Sequence, residues 1–207
     1  MGSRVRRNRG SQHAKRVYVL NGHPAAQSLS GALAESYARG ARGAGHEVRL
    51  THLHDIRFDQ DFGQASYRDT KPLEPCLERV LLDLTWCEHV VFTTPMWWGG
   101  LPAKLKGLLD RVLLPGRAFD PRKMQYGLPA PLLRGRSARV VITSDTPRWW
   151  MRLAYKNALF WQLKRQVLGY VGIRPTRITH LSKASHLAER ESQRWLAQLH
   201  TLGANAS

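Results

Sequence analysis

A chain of 207 residues, 43% of them hydrophobic, is long enough to bury one sizeable core around a sheet and is sized for a single domain. It has no run of about 18 consecutive apolar residues and no apolar stretch behind its basic N-terminus, and Cys76 and Cys87 have neither CxxC spacing nor clustered histidines. A membrane span, a secretory signal, a disulfide framework and a metal site are therefore not expected, and a soluble protein of the reducing cytoplasm is. The formal charge of +17 raises nucleic acid and anionic surfaces as partners, but no zinc-finger spacing, RNP-like motif or helix-turn-helix pattern organises it for base recognition. No specific nucleic acid is expected; peripheral contact with anionic surfaces stays open.

From the N-terminus, Arg4, Arg6, Arg7, Arg9, Lys15 and Arg16 lie in a stretch without acid or apolar periodicity. Residues 1–15 are expected to be a disordered basic tail, and 16–203 a single domain. Beyond the tail, short apolar runs alternate with longer amphipathic ones, the pattern of β/α units around a parallel sheet. The expected strands are Val17–Asn21, Glu47–His52, His89–Thr93, Ala138–Thr143 and Thr176–Leu181. Helices are expected over Leu29–Arg42, closed by Gly43-Ala44-Gly45; over Leu73–Trp86; from Pro102 onward, with Leu105, Leu108, Leu109 and Val112 at helical spacing; over Met151–Val171; and over Ser185–Leu199. His54–Thr70 and Pro115–Arg136 read as long loops, and loops of that length are usually functional or disordered.

Three strand ends carry candidate chemistry. The first runs into Asn21-Gly22-His23-Pro24 and then Ser28-Leu29-Ser30 at a helix start, where free N–H groups and the positive end of the helix dipole suit a phosphate. It matches neither GxGxxG nor GxxxxGK[ST], and plain N-capping by Ser28 or Ser30 explains the same residues. The third strand leads into Thr94-Pro95-Met96-Trp97-Trp98-Gly99-Gly100, beyond the carboxyl edge where open α/β sheets bind ligands. Its indoles either wall a flat aromatic ligand or belong to a core or a subunit interface. The fourth ends in Thr143-Ser144-Asp145-Thr146-Pro147-Arg148-Trp149-Trp150, whose hydroxyls and Arg148 suit the same ligand; Asp145 as a helix cap and the two indoles as core are the alternatives.

The order strand, GHP-x3-SLS, helix, TPMWWGGLPAKLKGLLDRVLLPGRAF, then ITSDTP resembles the flavodoxin-like family of NAD(P)H:quinone oxidoreductases over about Val17 to Leu199. The resemblance implies a three-layer α/β sandwich with a five-stranded parallel sheet of order 2-1-3-4-5, helices on both faces, a flavin (FAD or FMN), NAD(P)H as co-substrate, a quinone-type acceptor and a homodimer. It implies that His23, Ser28, Leu29 and Ser30 hold the flavin phosphate, that Pro95, Met96, Trp97, Trp98 and Gly99 hold the ring, and that Thr143, Ser144, Asp145 and Thr146 complete its far side. Asp145-Thr146 stand where many relatives have a glycine pair, and Trp149 and Trp150 where they have tyrosine and histidine. Tyr155 is then the candidate proton donor and Arg148 the candidate stabiliser of reduced-ring charge. Two other readings are a flavin-binding regulatory subunit of a membrane transporter and a basic nucleic-acid or membrane-surface binder using Arg148, Arg152 and Lys156 as a stripe at i, i+4 spacing.

Overall fold

The computed structural model describes residues 13–63, 66 and 70–207, and seven strands form among these described residues. They are β1 (Arg16–Asn21), β2 (Glu47–His52), β3 (His89–Pro95), β4 (Phe119–Gln125), β5 (Leu128–Pro131), β6 (Ser137–Ser144) and β7 (Thr176–Ser182). Five make a parallel sheet in the order β2-β1-β3-β6-β7, with Val17 opposite both Val48 and His89, and Pro95 opposite Thr143. Because every pairing is parallel, Asn21, Pro95, Ser144 and Ser182 end at one edge, and the winding reverses between β1 and β3.

Alternation along the strands sends neighbouring side chains to opposite faces. Tyr18, Leu20, Val90, Phe92, Val140 and Ile142 share one core with Leu77 and Leu84 of α2 (Pro75–Trp86) and Leu105 and Leu108 of α3 (Ala103–Val112). On the other face, Val17, Val19, Val91 and Val141 meet Leu33 and Tyr37 of α1 (Leu29–Gly43) and Leu199 of α6 (Glu189–Ala204). Each fully buried leucine contributes roughly 1.5–3 kcal/mol. The seam between α1 and α6 requires glycine: a Cβ on Gly40 would stand 2.0 Å from the His200 carbonyl oxygen, and one on Gly203 2.1 Å from that of Tyr37.

Several elements depart from the expectation. The stretch Pro115–Arg136 is not a plain loop: β4 and β5 pair antiparallel across Tyr126-Gly127, both at positive φ (52° and 78°), a two-residue hairpin turn whose twist suits the flanking strands. This insertion carries two strands of its own, so the sheet order is 2-1-3-6-7 in chain numbering rather than 2-1-3-4-5. The helix expected over Met151–Val171 is broken into α4 (Arg148–Leu153), α5 (Ala158–Trp161) and a π-helical segment over Gln162–Val167. The chain reverses at Lys156 and Asn157, both at positive φ, and the Asn157 N–H returns to the Met151 carbonyl. Lys156 therefore lies beyond α4 and does not continue a stripe with Arg148 and Arg152. The last helix starts at Glu189 after a 3-10 turn over Ala184–His186, and Pro102 sits just ahead of α3 instead of within it.

In the segment after β2, of which residues 64–65 and 67–69 lie outside the described residues, Ile56 is buried in the core and a buried arginine gathers the backbone. Arg111 of α3, 1% exposed, donates to the carbonyls of Asp59 and Pro72 and to the Glu74 carboxylate. Residues 1–12 of the expected tail lie outside the described residues. Lys15 is tied to the domain, its N–H donating to His46 Nδ1 at 3.1 Å and its carbonyl accepting the Glu47 N–H at 3.0 Å.

Candidate active site

β1 delivers its last residue, Asn21, into the core edge with no exposed surface. The Asn21 Oδ1 accepts the His23 N–H at 3.1 Å, and its Nδ2 lies 3.2 Å from His52 Nδ1. Gly22 donates to the Thr93 carbonyl at 2.7 Å, and any Cβ there would press on Leu105 at 2.5 Å. His23 Nδ1 accepts the Ala25 N–H at 3.0 Å, which leaves the proton of the neutral ring on Nε2. Burial, with help from the nearby His54, holds the His23 pKa below the ordinary histidine value.

Ser28 turns out to be a true N-cap, its Oγ accepting the Gly31 N–H at 3.1 Å. The hydroxyl accepts in the cap and keeps its own proton to donate. The cap also aims α1: with Gly31 taken up by Ser28, the first-turn N–H groups of Leu29 and Ser30 have no carbonyl ahead of them in the helix, and they sit at its positive end.

At the end of β3, the Met96 N–H donates to the Thr143 carbonyl at 2.8 Å. Trp97 and Gly100 then exchange two backbone hydrogen bonds, 3.0 and 2.9 Å, around Trp98 and Gly99 at φ 50° and 74°. This tight turn occupies the Trp97 N–H and leaves those of Trp98 and Gly99 outside the pair. Trp98 is fully exposed, so it is not a core residue. A bulky residue held at positive φ costs on the order of 1–3 kcal/mol, the kind of strain that clusters at ligand sites. Trp97 packs edge-on against His23, centroids 5.6 Å apart, and so joins the first loop to the second.

Between the second and third loops lies a cleft of about 610 Å³. Met96, Trp98 and Gly99 form one wall; Ser144, Asp145 and Thr146 form the facing one; Met151, Tyr155, Ala158 and Leu159 close it from α4 and α5. Asp145 is not a helix cap: it accepts from the Ser185 N–H at 2.7 Å and Oγ at 2.6 Å, pinning the turn after β7. Those bonds hold its carboxyl below the usual carboxylate range. The Ser144 hydroxyl lies 2.8 Å from His180 Nε2, and Arg148 donates to the His180 carbonyl at 2.9 Å. Arg148 therefore fastens α4 to β7 and does not line the cleft. Trp149 and Trp150 are exposed, not core, and Tyr155 is half exposed with its ring edge-on to Trp150 at 6.3 Å. A larger cavity of about 790 Å³ lies elsewhere, against α3 and β4, lined by Leu109, Leu113, Phe119, Val167 and Tyr170. The smaller cleft is the candidate site because it sits at the strand carboxyl ends with polar groups converging on it.

A family model described as the flavodoxin-like fold matches residues 15–202. The chain belongs to the flavodoxin-like fold family. Among curated relatives, it is 30% identical over 146 residues to the FMN-dependent NADH:quinone oxidoreductase of Ruegeria pomeroyi, covering 63% of this chain and 70% of that one. It is 30% identical over 115 residues to the ribosyldihydronicotinamide dehydrogenase-like protein traD of Penicillium crustosum, covering 47% of this chain and only 43% of that protein's length. Among solved structures, the protein Smu.1420 of Streptococcus mutans UA159 superposes with a TM-score of 0.78 at 25% identity, over 92% of this chain and 99% of that one.

Within this flavodoxin-like frame, the expected loops do converge, but individual roles differ. Met96, Trp98, Gly99, Ser144, Asp145, Thr146 and Tyr155 line the cleft; Pro95 and Thr143 are buried strand ends behind it; Trp97 bridges to His23. Asn21, His180 and Ser185 brace these loops through side-chain bonds. Their signal in the sequence is slight: polar residues at the apolar ends of the first and last strands, and a serine three positions past β7. Among the described residues, no group of three or more His, Cys, Asp or Glu side chains is placed to hold a metal ion, and no helix is long and apolar enough to cross a membrane.

Proposed function

We propose that this protein is a flavin-dependent NAD(P)H oxidoreductase with FMN as its cofactor and quinone-type aromatics as its acceptors. One observation carries the reading: the N-terminus of a 15-residue helix and a cleft lined by Trp98 and Tyr155 open on the same sheet edge, bridged by the His23–Trp97 contact at 5.6 Å. The relatives' FMN-dependent NADH:quinone chemistry supports it, and supports FMN over FAD. The residues fit the group. Leu29 and Ser30 offer amides and a dipole to a phosphate, and His23 offers an N–H on Nε2. The Trp98 and Gly99 amides offer donors to a ring edge across from Ser144 and Thr146.

When bound, the flavin supplies the hydride chemistry. The chain's part is to bind and orient: Trp98 and Tyr155 flank the cleft where nicotinamide and acceptor take turns, and free backbone N–H groups stabilise negative charge at the ring edge. Tyr155 is the proposed proton donor at its hydroxyl, and Arg148 the proposed positioning residue that keeps α4 over the cleft. The reading includes a homodimer whose second copy covers the apolar cavity against α3, where Lys106 and Asp110 pair at 2.6 Å and leave the rim charge-balanced. A cytoplasmic location is part of the same proposal.

The test is the visible spectrum of the purified protein followed by anaerobic titration with NADPH. A flavin spectrum that bleaches and returns on adding a quinone supports the enzyme; a yellow protein without turnover favours a regulatory role. A colourless protein that takes up no FMN and oxidises no NAD(P)H overturns the reading.

A further inference from the structure

The surface around α4 is left unexplained by the chemistry of the cleft. Between Asp145 and Glu189 the chain contains no acidic residue. Within that stretch, Arg152, Lys156, Lys164 and Arg165 are exposed, and none of them enters an ion pair among the described residues. The same stretch exposes apolar groups: Leu153 at 70%, Trp149 at 60% and Trp161 at 59%. Met151 is the only buried residue of α4, which is otherwise fastened by the Arg148 bond to the His180 carbonyl. Trp149, Trp150 and Tyr155 run edge to face at 5.3 and 6.3 Å, a continuous aromatic strip that ends in the wall of the cleft. Arg165 stands over the Trp161 ring at 5.8 Å.

We propose that this basic and aromatic surface docks the protein on an anionic lipid bilayer, with the cleft mouth facing the membrane. Indole and phenol rings settle at headgroup depth, an aliphatic side chain such as Leu153 reaches below them, and the unpaired cations meet lipid phosphates. A second copy fits this surface poorly. A two-fold contact centred on the patch would set it against itself, cations against cations with no carboxylate between them. The charge-balanced cavity against α3 suits a copy better. A single-stranded nucleic acid would stack on ring faces and leave the 70% exposed Leu153 nothing apolar to enter, whereas a bilayer takes rings and leucine together. The proposal rests on the flavin reading only in making the cleft the entrance for the acceptor, whose source would then be the pool of apolar quinones dissolved in the bilayer.

The experiment is flotation of the full chain, loaded with FMN, with vesicles of phosphatidylcholine alone and of phosphatidylcholine mixed with phosphatidylglycerol. Flotation is expected with the mixed vesicles only, and it should weaken as salt is added. Leu153→Ser with Trp161→Ser, and separately Arg152→Glu with Lys164→Glu, should each lower the partition by about tenfold or more. Flavin content and turnover of a water-soluble quinone should stay at the wild-type level, which also shows that the variants are folded. Turnover of a long-chain quinone embedded in the mixed vesicles should fall. The proposal is overturned by absence of flotation, whether or not an oligonucleotide binds instead, by equal flotation with neutral vesicles, or by variants that float like the wild type, which would put binding elsewhere on the chain. It is also overturned if the variants dissociate a dimer in sedimentation, since a second copy would then cover the patch. A colourless protein that still floats would sink the flavin reading and leave the docking surface standing.

Discussion

The two halves of the candidate site are built in opposite ways. Around residues 21–31 the geometry is fixed from below: Asn21 is buried, Gly22 has no room for a Cβ against Leu105 of α3, and Ser28 locks the first turn of α1. Around residues 96–99 and 144–159 it is set by a strained turn and a short helix held by one buried methionine and the Arg148 bond to β7, with the aromatic groups left in solvent. A phosphate is the same in every flavin nucleotide, so its seat can be rigid and belong to the core. A ring that must meet two different partners in turn needs walls that are accessible, and these are less firmly supported.

Breaking the rigid half should have the largest effect. Asn21→Leu leaves the part-buried His23 N–H without its acceptor, at a cost of about 1 kcal/mol. The expected outcome is a lowered melting temperature together with weaker FMN binding, measured by fluorescence titration; unchanged FMN affinity would show that the loop is not the phosphate seat. Ser28→Ala removes the cap of α1 and should cost about 0.5–2 kcal/mol in a denaturant melt. Asp145→Asn, on the softer side, weakens two bonds to the turn after β7. It should change the KM for the acceptor while leaving FMN affinity close to that of the wild type.

pH sharpens the contrast further. The folded state holds His23 neutral below the ordinary histidine range, whereas the unfolded chain takes up its proton more readily. Its contribution to stability is therefore present above that range and is lost as pH falls through it. A bound phosphate favours the protonated ring and should raise the His23 pKa. Chemical-shift titration of the His23 ring with and without FMN reads this directly, and an unmoved pKa would place the phosphate elsewhere. The smallest effect on stability, and the one of opposite sign, belongs to Trp98→Gly. Glycine relieves the positive φ, so the melting temperature should hold or rise by the equivalent of about 1 kcal/mol. Acceptor turnover should nevertheless drop; if it does not, Trp98 is no wall of the site.

The same contrast governs what the sequence reveals. Strands covered on both faces announce themselves as apolar runs, which is why His89–Thr93 and Ala138–Thr143 can be read directly, and with them the edge where ligands bind. The hairpin of β4 and β5 cannot be read that way. Asp120, Arg122, Lys123 and Gln125 give it no apolar alternation, and its only local cue is the Tyr126-Gly127 turn. The break at Lys156-Asn157 is equally hidden, because helical spacing on either side is intact and the reversal is fixed by Met151 and Leu159 docking against the body of the protein. Asn21 and His180 act through partners 31 and 36 residues away, and no local pattern encodes such distances.

The glycine seam between α1 and α6 bears on how the molecule is made. A ribosome delivers α1 long before α6, so Val17, Val19 and the inner face of α1 emerge with one side of the sheet still uncovered. Until Gly203 slides against Tyr37, that face is open to chaperones and to other nascent chains. The backbone-to-backbone closeness of the seam admits no larger residue to fill the gap provisionally. Variants at Gly40 or Gly203 should therefore show their damage as lost yield during synthesis, in a region remote from the chemistry.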